Sequence, residues 1–135
     1  MNREILFRAK HIHATSGNEH LNGTWVHGYL SDKDYIYDKS LEGEFLVDEN
    51  TICQYTELAN ELGEEFWEND IVQCVHYYGV IKYEDGAFVI KWKTKGSEFL
   101  RNDLAYWAYL GKASIVGNIF DNPELLEEED VHGTD

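Results

Sequence analysis

Short apolar runs separated by turn chemistry constrain this chain more than any other feature. Gly17-Asn18, Asn22-Gly23, Asp48-Glu49-Asn50 and Glu84-Asp85-Gly86 punctuate the sequence. Asn-Gly and Asp-Gly between alternating segments are strong hairpin signals, because both residues tolerate the positive φ of a tight turn. The runs between them read as strands over 4–13, 24–30, 35–37, 44–47, 51–56, 70–78, 80–83, 87–92 and 114–120. In the first, Ile5, Phe7 and Ala9 share one face and Arg8 and Lys10 the other. Aromatic residues make up 14% of the chain, which suits half-buried pleated surfaces. The expected fold is mainly β, with antiparallel strands. An N-terminal β half (1–56) packs on an SH3-like small barrel (57–125), and an acidic tail follows (126–135).

Two stretches resist a single reading at this level. Residues 97–110 fit an amphipathic helix, through Phe99, Leu100, Leu104, Trp107 and Leu110, or a loop with a short strand. Residues 57–69 fit a hairpin-like loop with Asn60 and Gly63 as the φ-permissive positions, footed on Phe66 and Trp67. Near the end, Asn122 caps a short C-terminal helix with Pro123 at its first position.

The formal charge is −15, from 11 Lys and Arg against 26 Asp and Glu. That balance opposes general nucleic-acid binding and anionic membranes. The N-terminus has no long apolar run and the two cysteines, Cys53 and Cys74, form no paired motif, so the expected compartment is the cytoplasm, with no membrane span. The charge is also segregated. Between Lys39 and Lys82 there is no Lys or Arg, yet the span holds ten carboxylates: Glu42, Glu44, Asp48, Glu49, Glu57, Glu61, Glu64, Glu65, Glu68 and Asp70. Lys91, Lys93 and Lys95 alternate onto one strand face further on. Solvated loop faces explain such a pattern plainly. The sharper reading is an acidic contact surface at 57–68, Glu57, Glu61, Glu64, Glu65, Phe66, Trp67 and Glu68, with the lysine strand as its complement in a homo-oligomer or a host or phage protein as partner.

No chemical constellation stands out, and no cofactor or catalytic residue is expected. His11 and His13 share a strand face and His27 lies on the paired strand, which approaches a metal-ligand set without supporting carboxylates. Cys74 and His76 share a face with no third orienting group. Glu64, Glu65, Glu68 and Asp70 lack the spacing of a calcium loop, and Gly111-Lys112 has no upstream glycines of a phosphate loop. Tyr77, Tyr78, Tyr83, Trp92, Tyr106, Trp107 and Tyr109 fit an aromatic groove, or the core of a sheet.

Several ordered motifs resemble the YopX family of phage and prophage proteins. They are Arg3–Lys10, Gly23-Thr24-Trp25-Val26 with Gly28, and Val47-Asp48 with Thr51 and Gln54-Tyr55-Thr56. Phe66 with Glu68-Asn69-Asp70-Ile71-Val72, then Gly79-Val80-Ile81, and the closing Val116-Gly117-Asn118-Ile119-Phe120-Asp121-Asn122-Pro123-Glu124-Leu125 complete the set. Glu57 and Asn69 stand where the family usually has Gly. Asn69 suits a left-handed turn, while Glu57 suits it poorly, so the turn after Thr56 is expected to differ. The resemblance implies a mobile-element origin, a mainly β fold and a homo-oligomer. It transfers no catalytic residues. The alternative role it leaves open is a regulator of nucleic-acid transactions, through a basic-aromatic patch or acidic mimicry of DNA.

Overall fold

The computed structural model describes residues 5–12, 23–93 and 99–127. The described chain is mainly β, with eleven strands in two antiparallel sheets and one α-helix. It divides into two compact units, 1–55 and 56–135, with the cut inside one strand. Among the described residues, no helix is long and apolar enough to cross a membrane.

The first unit is built from β1 (Phe7–Lys10), β2 (Trp25–Asp32), β3 (Tyr35–Asp38), β4 (Gly43–Leu46) and the start of β5 (Cys53–Ala59). β1 lies between β2 and β5, with Phe7 opposite both Gly28 and Gln54. Its C-terminal end turns to the far edge instead. His11 bridges Val47, Ile12 N donates to Leu46 O (3.3 Å) and Asp48 N to Lys10 O (2.8 Å). The four strands therefore curl until first meets last, around Ala9, Val26, Ile36, Phe45 and Val47. The expected alternation holds for Phe7 and Ala9, but Ile5 precedes the strand and is exposed. Arg8 is buried on the outer face, its guanidinium 4.7 Å from the Trp25 ring centroid. A cation is covered there because an aromatic face replaces part of its hydration.

The second unit holds β6 (Glu65–Trp67), β7 (Asp70–Cys74), β8 (Tyr77–Glu84), β9 (Ala87–Lys93), β10 (Phe99–Asp103), α1 (Leu104–Leu110) and β11 (Ser114–Asn118). Its five-stranded sheet runs β10-β9-β8-β7-β11. β7 to β10 follow one another as a meander and β11 pairs with the free edge of β7; the ladders are linear and do not show the expected SH3-like barrel. Phe66, Val72, Ile81, Ile90, Trp92, Leu104 and Ala113 form the core on one face. On the other face Ile71 and Val80, paired across the ladder, are also buried, and the 3-10 turn Pro123–Leu126 packs on β8. The ambiguous stretch 97–110 resolves as both alternatives in succession, strand β10 and then helix α1. The helix stops at Gly111 in the left-handed conformation (φ 68°), the usual way to end a helix.

Two expectations need correction. Asn122 and Pro123 take the cap and first positions as expected, but among the described residues the element is a 3-10 turn, and the Asn122 side chain makes no cap bond, its Oδ1 accepting from Asn118 N instead (3.2 Å). The strand read over 70–78 is broken by a turn at Val75-His76, with Cys74 paired to Tyr77 on either side. Val75 sits at φ 58°, a conformation that a β-branched residue adopts only under strain, in the slot where such turns favour Gly. Its side chain is 72% exposed. Val75→Gly is therefore expected to raise stability by about 1 kcal/mol, relief of the left-handed strain outweighing the added chain entropy. An increased urea midpoint checks this, and a lower one contradicts it. By contrast Asp85 and Gly86 both take positive φ (54° and 84°), the turn their sequence predicts.

Candidate interaction surface

Several of the motifs that resemble the family act as fold devices. Asp48 caps the 3-10 turn Glu49–Thr51, its Oδ1 accepting from Asn50 N, while Thr51 Oγ1 receives Lys10 N (2.9 Å) and donates to Asp48 O (2.7 Å). Thr56 Oγ1 donates to Phe66 O (2.7 Å) and accepts from Leu58 N (3.1 Å), joining β5 to β6. Buried Asp70 takes Trp67 N on Oδ2 (2.8 Å). Asn69 holds the left-handed turn (φ 72°) as expected, with Oδ1 accepting from Lys82 Nζ. Asn118 Oδ1 accepts from both Phe120 N and Asp121 N (2.9 Å each). Gly117 beside it has no room for a Cβ, which would lie 2.4 Å from Asn122 Oδ1.

Glu57 overturns one expectation. It keeps the left-handed backbone (φ 68°) without being Gly, so the turn after Thr56 is retained. The hydroxyl of Thr56, which accepts from Leu58 N across that residue and donates to Phe66 O on the facing strand, holds the kink. Beyond it β5 and β6 form a hairpin with tip 60–64. Asn60 N donates to Glu64 O (2.9 Å) and Gly63 N to Asn60 O (2.9 Å). Gly63 supplies the positive φ (87°), but Asn60 acts through its side chain rather than through its backbone torsion. Its Oδ1 accepts from Leu62 N and Glu64 N (2.9 Å each), and its Nδ2 donates to Glu64 Oε1 (2.8 Å). The tip is braced from within, as an Asx turn braces a loop.

What this tip presents is acidic and apolar. Glu57, Glu61, Glu64 and Glu65 are exposed on the hairpin, and Leu62 at its apex is 82% exposed. The Glu61 carboxylate lies against the end of α1, its Oε2 2.9 Å from where a Cβ on Gly111 would be. Glu68 is half-buried in the β6–β7 turn. Phe66 and Trp67, assigned to this surface from the sequence, are buried instead. They are neighbours on the short β6, and Phe66 belongs to the core cluster. Leu62 was missed. Its signal was an apolar residue between two turn-forming residues, with no alternating partner.

The lysine strand is engaged locally. Lys91 Nζ pairs with Glu84 Oε2 (2.9 Å) and Lys93 Nζ donates to the Leu126 carbonyl. Lys95 lies outside the described residues. Of the aromatic residues read as a possible groove, Trp92 and Trp107 pack against each other at 5.2 Å in the core, while Tyr106 and Tyr109 are exposed on α1.

The chemical sets considered earlier come apart. His11 faces the core, its ring edge-on to Phe45 at 5.3 Å and its Nδ1 3.0 Å from Leu46 O, whereas His27, opposite Arg8, is on the other face. His13 lies outside the described residues. Cys74 packs against the core and His76 stands in the exposed turn. Among the described residues no three His, Cys, Asp or Glu side chains converge as a metal set.

Asp38 is a buried carboxylate with four hydrogen bonds, and the sequence reading passed it over. It is 4% exposed, yet Oδ2 accepts from His27 N (2.9 Å) and Oδ1 from Ser40 N (3.0 Å), Ser40 Oγ (2.6 Å) and Leu41 N (3.3 Å). Burial pushes its acidity toward the neutral form, but the hydrogen bonds from Ser40, His27 and Leu41 outweigh it and hold the pKa below the ordinary 3.8. It is a clamp on the β3–β4 loop. The signal was Asp-x-Ser, an Asx turn after a strand.

Comparison with known proteins adds one finding. The family model described as YopX protein matches residues 7–127, nearly the whole chain. A search of curated proteins gave no match.

Proposed function

The chain belongs to the YopX family, and from that premise we propose that it is a non-catalytic, oligomeric protein-interaction module whose contact element is the β5–β6 hairpin. The family match fits a phage-type protein. The observation that carries the proposal is the braced tip. Asn60 fixes Leu62 and Glu64 before any partner arrives, so little ordering entropy is lost on docking. The motifs shared with the family are occupied in turns and close approaches and the hairpin's base carries core residues, which leaves its acidic tip, 60–64, as the part free for contact. No observation favours the nucleic-acid mimic. Of the ten carboxylates, Asp48 caps a turn and Asp70 is buried, so the ten do not serve as one solvated face.

The test is light scattering of the purified chain in low and high salt. Assembly through exposed carboxylates is expected to be weakened by salt, which screens such contacts over about 10 Å or less. A monomer of the same mass at every salt concentration contradicts the self-association.

A further inference from the structure

We propose that Tyr106 and Tyr109 of α1, with Leu62 and Glu61 of the hairpin tip, form a docking face for an arginine-bearing segment of a partner protein. The inference rests on the reading of the hairpin as a contact element and extends it to a second element. Tyr106 and Tyr109 are three residues apart on one helix, so they share a face. They are 57% and 85% exposed, while Leu104 on the same helix is buried and Trp107 and Ala108 pack against the core. The buried side anchors the helix and leaves the two rings outward. The Glu61 carboxylate against Gly111 places the hairpin tip two residues beyond Tyr109. Two exposed rings on α1 thus stand on the element whose end the Glu61 carboxylate approaches, with the exposed Leu62 next to Glu61 in the tip.

Charge complementarity selects the occupant. The chain carries −15, and α1 has no basic residue in its last turn. Among the described residues neither Glu61 nor Lys112, the nearest lysine in sequence to the helix end, makes an ion pair. A carboxylate at the end of a helix that exposes two tyrosine rings fits a cation. A guanidinium fits it better than an ammonium, because the planar group stacks on the ring and meets a carboxylate through two parallel hydrogen bonds.

The experiment uses the full chain and two synthetic peptides of equal length, oligoarginine and oligolysine, with binding followed by fluorescence anisotropy at physiological salt. The arginine peptide is expected to bind about fivefold more tightly or better. The double variant Tyr106→Ala/Tyr109→Ala changes no charge and is expected to erase that preference, while Tyr→Phe at both positions keeps it. Glu61→Gln/Glu64→Gln is expected to weaken both peptides. Glu49→Gln, in the first unit, is expected to weaken neither beyond twofold. Equal binding of the two peptides, or a preference that survives loss of both tyrosines, overturns the docking face while the hairpin reading stands. Unchanged binding by the glutamine variant overturns the hairpin reading itself. If the tyrosine variant alters the mass of the assembly but not the peptide preference, the face is a self-contact and the inference is overturned.

Discussion

Gly28→Ala is expected to unfold the first unit or to cost on the order of 3–5 kcal/mol. A Cβ at this position would lie 1.9 Å from the Tyr37 carbonyl oxygen, 2.9 Å from its carbon and 3.3 Å from Asp38 Cα. All three are backbone atoms, so no rotamer change can make way. Relief requires β2 and β3 to move apart, and that separation pulls His27 N from the Asp38 carboxylate on the same pair of strands. Overpacking in a side-chain environment costs about 1–3 kcal/mol, and a backbone clash leaves fewer ways to relax. Urea unfolding followed by circular dichroism reads the effect. A loss below about 1 kcal/mol would mean that the two strands are not as close as described.

The second large effect is at Asp38. Asp38→Asn keeps the shape but replaces one accepting oxygen with an amide that has two protons to donate. Either Ser40 and Leu41 or His27 then face a donor. A loss of about 2–3 kcal/mol is expected, the usual scale for breaking charge-assisted bonds at a buried site. The variant also carries a pH signature. The folded-state pKa of Asp38 is depressed, so its stabilisation is fully present above 3.8 and is lost as pH falls through the folded value. Below that value wild type and Asp38→Asn should converge in stability, and at neutral pH they should differ most. A difference that persists undiminished in acid would show that the carboxylate charge is not what holds the loop.

Much of the strand pattern was legible because it rests on local chemistry. Asp85-Gly86 announced its hairpin, and Phe7 and Ala9 announced their buried face. The turn at Val75 was not legible, since a β-branched residue inside an alternating run reads as strand. Only pairing of Cys74 with Tyr77 in three dimensions reveals it. Glu57 is a similar case. Its left-handed backbone is imposed by the Thr56 hydroxyl bonding across the kink, a tertiary constraint that residue preference does not record. Helix α1 was half legible, because β10 runs straight into it with no turn residue between Asp103 and Leu104.

The candidate interaction surface was legible as charge and not as shape. The carboxylates of 57–65 could be counted in the sequence. What the sequence did not offer was which neighbours are solvated. Phe66 and Trp67 are as aromatic as an interface anchor, yet they are buried, while Leu62 stands out at the apex. Nor did spacing connect Glu61 with Gly111, fifty residues away along the chain and in contact with it. The lysine strand looked like a complement to the acidic loop until Lys91 was found on Glu84 and Lys93 on the Leu126 carbonyl. Local partners took up those two charges.

The proposed contact uses carboxylates at the hairpin tip that the fold does not need. Light scattering of Glu61→Gln/Glu64→Gln/Glu65→Gln beside the unmodified chain, with the thermal midpoint of each recorded, tests that proposal most directly. The three side chains are exposed, and glutamine can still accept the Asn60 amide at position 64. The account predicts an unchanged midpoint and the loss of salt-sensitive assembly. An assembly of unchanged mass and unchanged salt response in the glutamine variant would contradict it.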